Sequence, residues 1–197
     1  MKFSILVADC PWSYNRKSTG GTNKSGSSQH YNIMTNYDLA QLYQYIIPIM
    51  NKDSVLFLWT TVPMLEDALD VMEYWGFEYK TMITWVKKNN GLGNYFRGKT
   101  EHLLMGVRGK VKPFRLQAPN LIISEKTLKH SEKPIESYRL IDKCAEQMDH
   151  SLHKPINVLE LFARDVFVSD NINWTCIGKD ISGNDIKKDL ENCLEQD

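Results

Sequence analysis

This chain has little of what marks a secreted, metal-bound or membrane-embedded protein. Its 197 residues hold four cysteines, Cys10, Cys144, Cys176 and Cys193, far apart and without a C-x-x-C pair, which excludes zinc-finger and thioredoxin-like spacing. A reduced, intracellular protein is therefore expected, cytoplasmic in location. No positively charged apolar leader precedes Asp9 and the apolar runs are of strand length, so neither a signal peptide nor a transmembrane helix is predicted, and no membrane partner. His150 and His153 have no carboxylate or thiol constellation beside them, so no metal site is predicted. Net charge is also missing: 24 basic residues balance 24 acidic ones, and the molecule as a whole does not advertise a polyanionic partner. No internal repeat and no second domain are visible, and residues 1–197 read as one unit.

The charge that is present is unevenly placed. From Tyr79 to Asn120 nine basic residues (Lys80, Lys87, Lys88, Arg97, Lys99, Arg108, Lys110, Lys112, Arg115) face the single acid Glu101. Trp85, Tyr95, Phe96 and Phe114 are interleaved with them, so the region offers stacking surfaces among phosphate-seeking charges. From Asp185 onward acids predominate.

Strand-length apolar runs alternate with segments of helical period, which predicts an α/β sheet with helices on its faces. Strands are expected at Phe3 to Ala8, Val55 to Trp59, "GFEYKTMITWVKK", "EHLLMGVRG", "NLIIS", 156–163 and 174–181. One helix is expected from about Asn36, with Leu39, Leu42, Tyr43 and Ile46 on one face. A second is opened by Pro63. A third, near Pro134, carries the stripe Ile135, Tyr138, Ile141, Ala145 and Met148. Residues 15–32, "NRKSTGGTNKSGSSQHYN", read as a long mobile active-site loop. In the tail, 183–197, Ile186, Leu190 and Leu194 share one helical face, enough for docking onto the body or onto a partner.

The chemistry concentrates in "VADCPWSY", where the first strand ends in an acid, a cysteine, a proline and a tryptophan. An acid at the carboxyl end of a strand sits where open α/β sheets bind their ligands. Pro11 fixes its own φ and biases Cys10 toward extended backbone, which aims the Cys10 carbonyl beside the Asp9 carboxylate. Trp12 adds a π-face on which a nucleobase can stack. Two acceptors and a stacking plane suit methyl transfer to the exocyclic amine of adenine. That nitrogen's lone pair is delocalised until hydrogen bonds from both its protons draw it toward tetrahedral geometry.

These residues resemble the MT-A70 family of S-adenosylmethionine-dependent adenine-N6 methyltransferases, whose signature Asp-Pro-Pro-Trp is matched here by "DCPW", with Cys10 in place of the first proline. "HYNIM", "LFLWTT", "WGFEY", "ITWVKKN", "GKTEHLLMGVRG", "HSEKP" and "VLELFAR" followed by "NWTCIGKD" occur in the family's order, over roughly residues 3 to 181. The resemblance implies a Rossmann-like class I methyltransferase fold with a mixed, mostly parallel sheet, circularly permuted so that the catalytic motif precedes the cofactor strand. It implies S-adenosylmethionine as cofactor and Asp9, Cys10, Pro11 and Trp12 as the catalytic tetrapeptide. Asp9, Lys133, Glu160, Phe162, Arg164 and Asp180 would bind the cofactor, Lys133 at its carboxylate end and Asp180 at the ribose hydroxyls. Tyr31, Trp85, Lys87, Arg97 and Glu101 would meet the target base and the nucleic acid. With no appended zinc-binding or RNA-binding module visible, DNA is expected as substrate ahead of RNA, with a homodimer or partner subunit to supply further specificity. A silent nucleic-acid-binding subunit would need neither Asp9 nor the Lys133 and Arg164 motifs, and a small-molecule methyltransferase would need no basic, aromatic-rich region.

Overall fold

A computed structural model describes residues 2–13, 33–91, 93, 95–124, 132–152 and 156–195. The expected loop 15–32, with Tyr31, and the His130 and Ser131 of "HSEKP" lie outside the described residues.

The first strand, β1 (Phe3–Ala8), is buried at every position, and that follows from its lying mid-sheet. Leu6 and Ala8 join one core cluster, Ile5 and Val7 the other. A strand covered on both faces is apolar without alternation, here except for Ser4, whose hydroxyl accepts from Asn51 Nδ2, and Phe3, Ile5, Leu6 and Val7 each contribute about 2 kcal/mol by burial. Parallel neighbours flank it: β2 (Met50–Thr60) on one side and β6 (Asn157–Leu161) on the other.

Beyond β2 come β4 (Thr100–Arg108), β3 (Glu78–Val86) and β5 (Leu121–Ile123), and beyond β6 comes β7 (Asn173–Ile177), giving the order β5-β3-β4-β2-β1-β6-β7. Only β4 runs against the other six strands. The expected mixed, mostly parallel sheet is observed. The chain leaves β1 toward β2 on one side and reaches β6 and β7 on the other, so the carboxyl ends of β1 and β6 form a switch point, where such sheets bind ligands.

Helices cover both faces. On one lie α1 (Asn36–Gln41), α2 (Tyr43–Ile49), α3 (Leu65–Tyr74) and α6 (Ile186–Glu195), whose inward residues share a cluster with Leu6, Leu56 and Leu159. On the other lies α4 (Ile135–Leu152), through Ile141, Cys144, Ala145 and Met148. The helix expected from Asn36 starts there because Thr35 caps it in a reciprocal box with Asp38. It is broken at Leu42, so Tyr43 turns outward with 42% exposure. Ile135 is likewise exposed, because it opens the first turn of α4, ahead of the buried stripe. Pro63 stands in a 3-10 turn, Val62–Met64, that leads into α3.

The strand expected over 174–181 stops at Ile177. Gly178 follows, and residues Lys179–Ser182 form a short helix, α5. A Cβ at Gly178 would lie 2.5 Å from the carbonyl oxygen of Ala163, so only glycine permits this exit beside the end of β6.

Antiparallel pairing divides the basic run. Val86 pairs with Thr100 at the switch-point end, while Glu78 pairs with Val107 at the far end. Lys87, Lys88, Arg97 and Lys99 therefore flank the ligand-binding edge, whereas Lys80, Arg108 and Lys110 lie at the opposite one. The basic run is thus divided between the two edges of the sheet.

Candidate active site

At the carboxyl ends of β1, β2 and β6, joined by the start of β4, lies a cavity of about 310 Å³, in the range of small-ligand sites. Its floor begins with the tetrapeptide. The Cys10 thiol turns into the core at 4% exposure. Burial, reinforced by the neighbouring Asp9 charge, pushes it well above the usual thiol range. Pro11 centres a three-residue turn in which the Trp12 N–H donates to the Cys10 carbonyl at 2.9 Å. That carbonyl keeps a second lone pair. The Pro11 carbonyl accepts from the Met34 N–H at 3.2 Å, joining the segment to the start of α1.

Trp12 is held more tightly than a free stacking plane. Its indole N–H donates to the Trp59 carbonyl at 3.1 Å, and only 7% of the residue is exposed. It lines the cavity as a wall pinned to β2. Trp85, expected at the target-base pocket, does not line the cavity. It is buried in the second core cluster, edge-on to Trp59 with ring centroids 6.1 Å apart. At its position on β3 the side chain points into the α4 face of the sheet, so it supports Trp59 from behind.

Asp9 does not stand alone. Lys133, directly before α4, places its ammonium 3.0 Å from Asp9 Oδ1 and 2.9 Å from Glu101 Oε2. Lys87 closes on the other Glu101 oxygen. The Lys133 ammonium also lies 5.2 Å from the Trp59 ring centre, a cation–π distance. Burial works against the Lys133 charge, but the carboxylates of Asp9 and Glu101 outweigh it and hold its pKa above the ordinary lysine value. Burial likewise opposes the Glu101 charge and is outweighed by Lys133 and Lys87, so that carboxyl sits below its ordinary value. The charges alternate along Lys87, Glu101, Lys133 and Asp9, an arrangement that favours the ionised forms of Glu101 and Lys133. With two of its three N–H groups engaged, Lys133 retains one to offer.

Phe162, Ala163 and Arg164 reach the cavity from the end of β6. Phe162 has φ of +60, a left-handed conformation rare outside glycine that turns the chain sharply across the cavity. Asp180 lines the cavity from the first turn of α5, three residues past the strand on which it was expected.

Glu160 lies beneath the cavity without lining it. It accepts from Tyr138 Oη at 2.8 Å and from Cys176 Sγ at 3.6 Å. Burial, its largest influence, pushes its pKa up to about 7 despite those two donors.

Arg97 is exposed in the loop between β3 and β4. Beside it Tyr95 and Phe96 are 96% and 91% exposed. Phe114 instead packs against the second core cluster. Of the interleaved aromatics, only Tyr95 and Phe96 offer open faces.

The structure adds lining residues that motif reading passed over: Met34, Thr60, Thr61 and the stretch Gly183 to Ile186. The two threonines had a signal, since they end a buried parallel strand within "LFLWTT". Residues 183–186 had only the apolar spacing of the helix they open. Among the described residues no helix is long and apolar enough to cross a membrane, and no three His, Cys, Asp or Glu side chains are placed to hold a metal ion.

Comparison with known proteins agrees with this arrangement. The MT-A70 family profile matches residues 3–180. The type II methyltransferase M.MunI of Mycoplasma sp is 32% identical over 202 aligned residues, 94% of this chain and 81% of that protein. The N(6)-adenosine-methyltransferase catalytic subunit METTL3 of Homo sapiens is 27% identical over 92% of this chain, which spans only 29% of that protein's length. METTL3 of Danio rerio is also 27% identical, with 28% of its length covered. With its motifs in order, its sheet formed as they imply and nearly its whole described body matched, the chain belongs to the MT-A70 family of adenine methyltransferases.

Proposed function

We propose that this chain transfers a methyl group from S-adenosylmethionine to N6 of adenine in DNA, with the target base swung out of its stack into the Asp9 cavity. The observation that carries the reading is the convergence of the Asp9 carboxylate and the tetrapeptide backbone on one cavity at the switch point, with Lys133 locking the carboxylate.

The donor set fits the cofactor. A lysine with a spare N–H suits its carboxylate, Asp9 suits its ammonium, and Asp180 suits its ribose hydroxyls. Phe162 and Arg164 occupy the turn between those ends. When bound, S-adenosylmethionine supplies an electrophilic methyl group on a sulfonium.

The chain's own residues do the rest. Asp9 accepts one proton of the adenine amine in a hydrogen bond, and the remaining lone pair of the Cys10 carbonyl accepts the other. Together they pyramidalise the nitrogen and orient its lone pair, so catalysis is chiefly positioning. The Asp9 carboxylate favours positive charge as it develops on nitrogen, and the methylated amine then releases its extra proton to solvent. Lys133, itself held by Glu101, acts through Asp9 by fixing its carboxylate in one orientation.

Lys87, Lys88, Arg97 and Lys99 at the rim suit the phosphate backbone, and Tyr95 and Phe96 suit stacking on neighbouring bases. DNA is favoured because the M.MunI relative is covered over most of its length, whereas the METTL3 proteins carry more than two thirds of their length elsewhere. We take residues 1–197 as one methyltransferase domain. The Asp9 strand precedes the Glu160 strand in the chain, which supports a circular permutation. A homodimer or a partner subunit would add to the sequence specificity of this domain.

The test is direct. Purified protein and labelled S-adenosylmethionine are combined with matched single-stranded DNA, duplex DNA and RNA oligonucleotides, and the nucleosides are analysed by mass spectrometry. N6-methyladenine accumulating faster in DNA supports the reading. Faster accumulation in RNA transfers the assignment to RNA, and its absence from all three contradicts it.

A further inference from the structure

The family match ends at residue 180, but the cavity does not. Gly183, Asn184, Asp185 and Ile186 line it alongside Lys179 and Asp180. This stretch is anchored to the body. Ile186 and Leu190 are buried in the same cluster as Leu39, Leu42 and Ile46. Gly183, with φ of +77, reverses the chain after α5 in the left-handed region that favours glycine.

Behind the turn stands Asp189, a carboxylate only 4% exposed. It accepts from Ser182 Oγ at 2.6 Å and from Asn184 Nδ2 at 3.0 Å, and the Ser182 hydroxyl in turn accepts from the Asn184 backbone N–H at 3.1 Å. Burying a carboxylate on a surface helix costs several kcal/mol unless it is bonded. What this one does is fix the turn. With its NH₂ committed to Asp189, Asn184 has an oriented side-chain carbonyl left to accept a hydrogen bond.

We infer that the turn Gly183 to Asp185 is the nucleoside-recognising wall of the methyl-donor cavity. Asn184 accepts from a hydroxyl or amine of the adenosine half, and Asp189 is a positioning residue that acts through Asn184. The cavity's polarity divides accordingly. Lys133 provides for a carboxylate at one end, while Asp180, Asn184 and Asp185 offer acceptors to a donor-bearing nucleoside at the other. This inference rests on the methyl-donor reading above.

Calorimetric titration of the full chain with S-adenosylhomocysteine, and separately with adenosine, tests it. Asn184→Ala and Asp189→Asn should each weaken both ligands by about 5-fold to 10-fold, the loss of one hydrogen bond. The double variant should lose little more than the worse single one, because both act at one contact. Oligonucleotide affinity, read by fluorescence anisotropy, should stay at the wild-type value. Asn184→Ala removes one of the two donors to the buried Asp189, so each variant is first shown by thermal denaturation to unfold cooperatively well above the titration temperature, which excludes unfolding as the cause. Both variants binding within 2-fold of wild type, or fully additive losses, would overturn the wall and its positioning residue alone. A wild-type chain that binds neither ligand would instead overturn the methyl-donor reading beneath it.

Discussion

The Lys133 ammonium bridges Asp9 and Glu101 at 3.0 and 2.9 Å, tying the acid after the first strand to the acid at the start of the fourth. Removing the lysine leaves two facing carboxylates without their shared cation. Lys133→Met should therefore destabilise the fold by roughly 3 kcal/mol at pH 7.5 in urea titration, the scale for a broken buried pair. Adding Glu101→Gln should restore part of that loss. A cost below about 1 kcal/mol would mean the bridge behaves as an exposed surface pair.

The bridge also has a pH window. Lys133 is raised above 10.5 in the fold, so its contribution is complete below that value and is lost as pH climbs through the raised one. Glu101 is lowered below 4.5, so its contribution is complete above that value and is lost as pH falls through the lowered one. Both are intact across the neutral range.

Glu160 runs the other way. Its folded pKa of about 7 exceeds the ordinary 4.5, so the native state holds a proton that the unfolded chain releases between those values. Stability should fall as pH rises through that interval, by up to about 3 kcal/mol. Glu160→Gln should flatten the dependence and melt higher than wild type at pH 8, which thermal denaturation at pH 5 and pH 8 would reveal. An unchanged slope would show that Glu160 is ionised throughout.

The turn around Pro11 assigns the tetrapeptide's backbone and its thiol different weights. Cys10→Ala should keep methyl transfer within about 3-fold, at a stability cost of about 1 kcal/mol for the vacated volume. Pro11→Ala, which frees the turn that aims the Cys10 carbonyl, should lower kcat by about 10-fold with little change in cofactor affinity. Single-turnover kinetics separates the two. A large loss in Cys10→Ala with normal folding would give the thiol a role that its burial argues against.

Tyr95 and Phe96 should matter to nucleic acid alone. Replacing both with alanine should weaken oligonucleotide binding by about 1–3 kcal/mol per lost stack. Arg97→Ala should reduce the slope of affinity against salt by about one phosphate contact. Cofactor affinity should not move in either variant, and unchanged oligonucleotide binding would remove this loop from the interface.

Several of these elements were legible in sequence because their causes are local. The strand Phe3–Ala8, the start of the first helix at Asn36 and the inward face Ile186, Leu190 and Leu194 follow from hydrophobic period and capping. The antiparallel β4 and the partition of the basic run depend on pairing between distant segments, which no local pattern encodes. Motif order marked Asp9, Lys133, Glu101, Arg164 and Asp180, all of which line one cavity. It did not show that Lys133 grips Asp9 itself, since that contact spans the chain. Trp85 and Glu160 were drawn to the site by their neighbours in sequence, but strand alternation turns them beneath it. The wall at Gly183 to Ile186 was hidden because its polar residues are ordinary turn formers, and only the folded chain brings them round to the cavity.

On the proposed function, the Asp9 carboxylate, in the orientation Lys133 gives it, activates the adenine amine. The most direct test is the single-turnover rate of N6-methyladenine formation in Asp9→Asn, measured by nucleoside mass spectrometry on an adenine-containing DNA at saturating S-adenosylmethionine. The variant keeps the side chain's size and one acceptor but removes the charge. A fall of about 100-fold or more, with S-adenosylhomocysteine still bound, is the predicted result, on the scale of losing a positioned electrostatic stabiliser. N6-methyladenine formed at the wild-type rate would overturn the role proposed for Asp9.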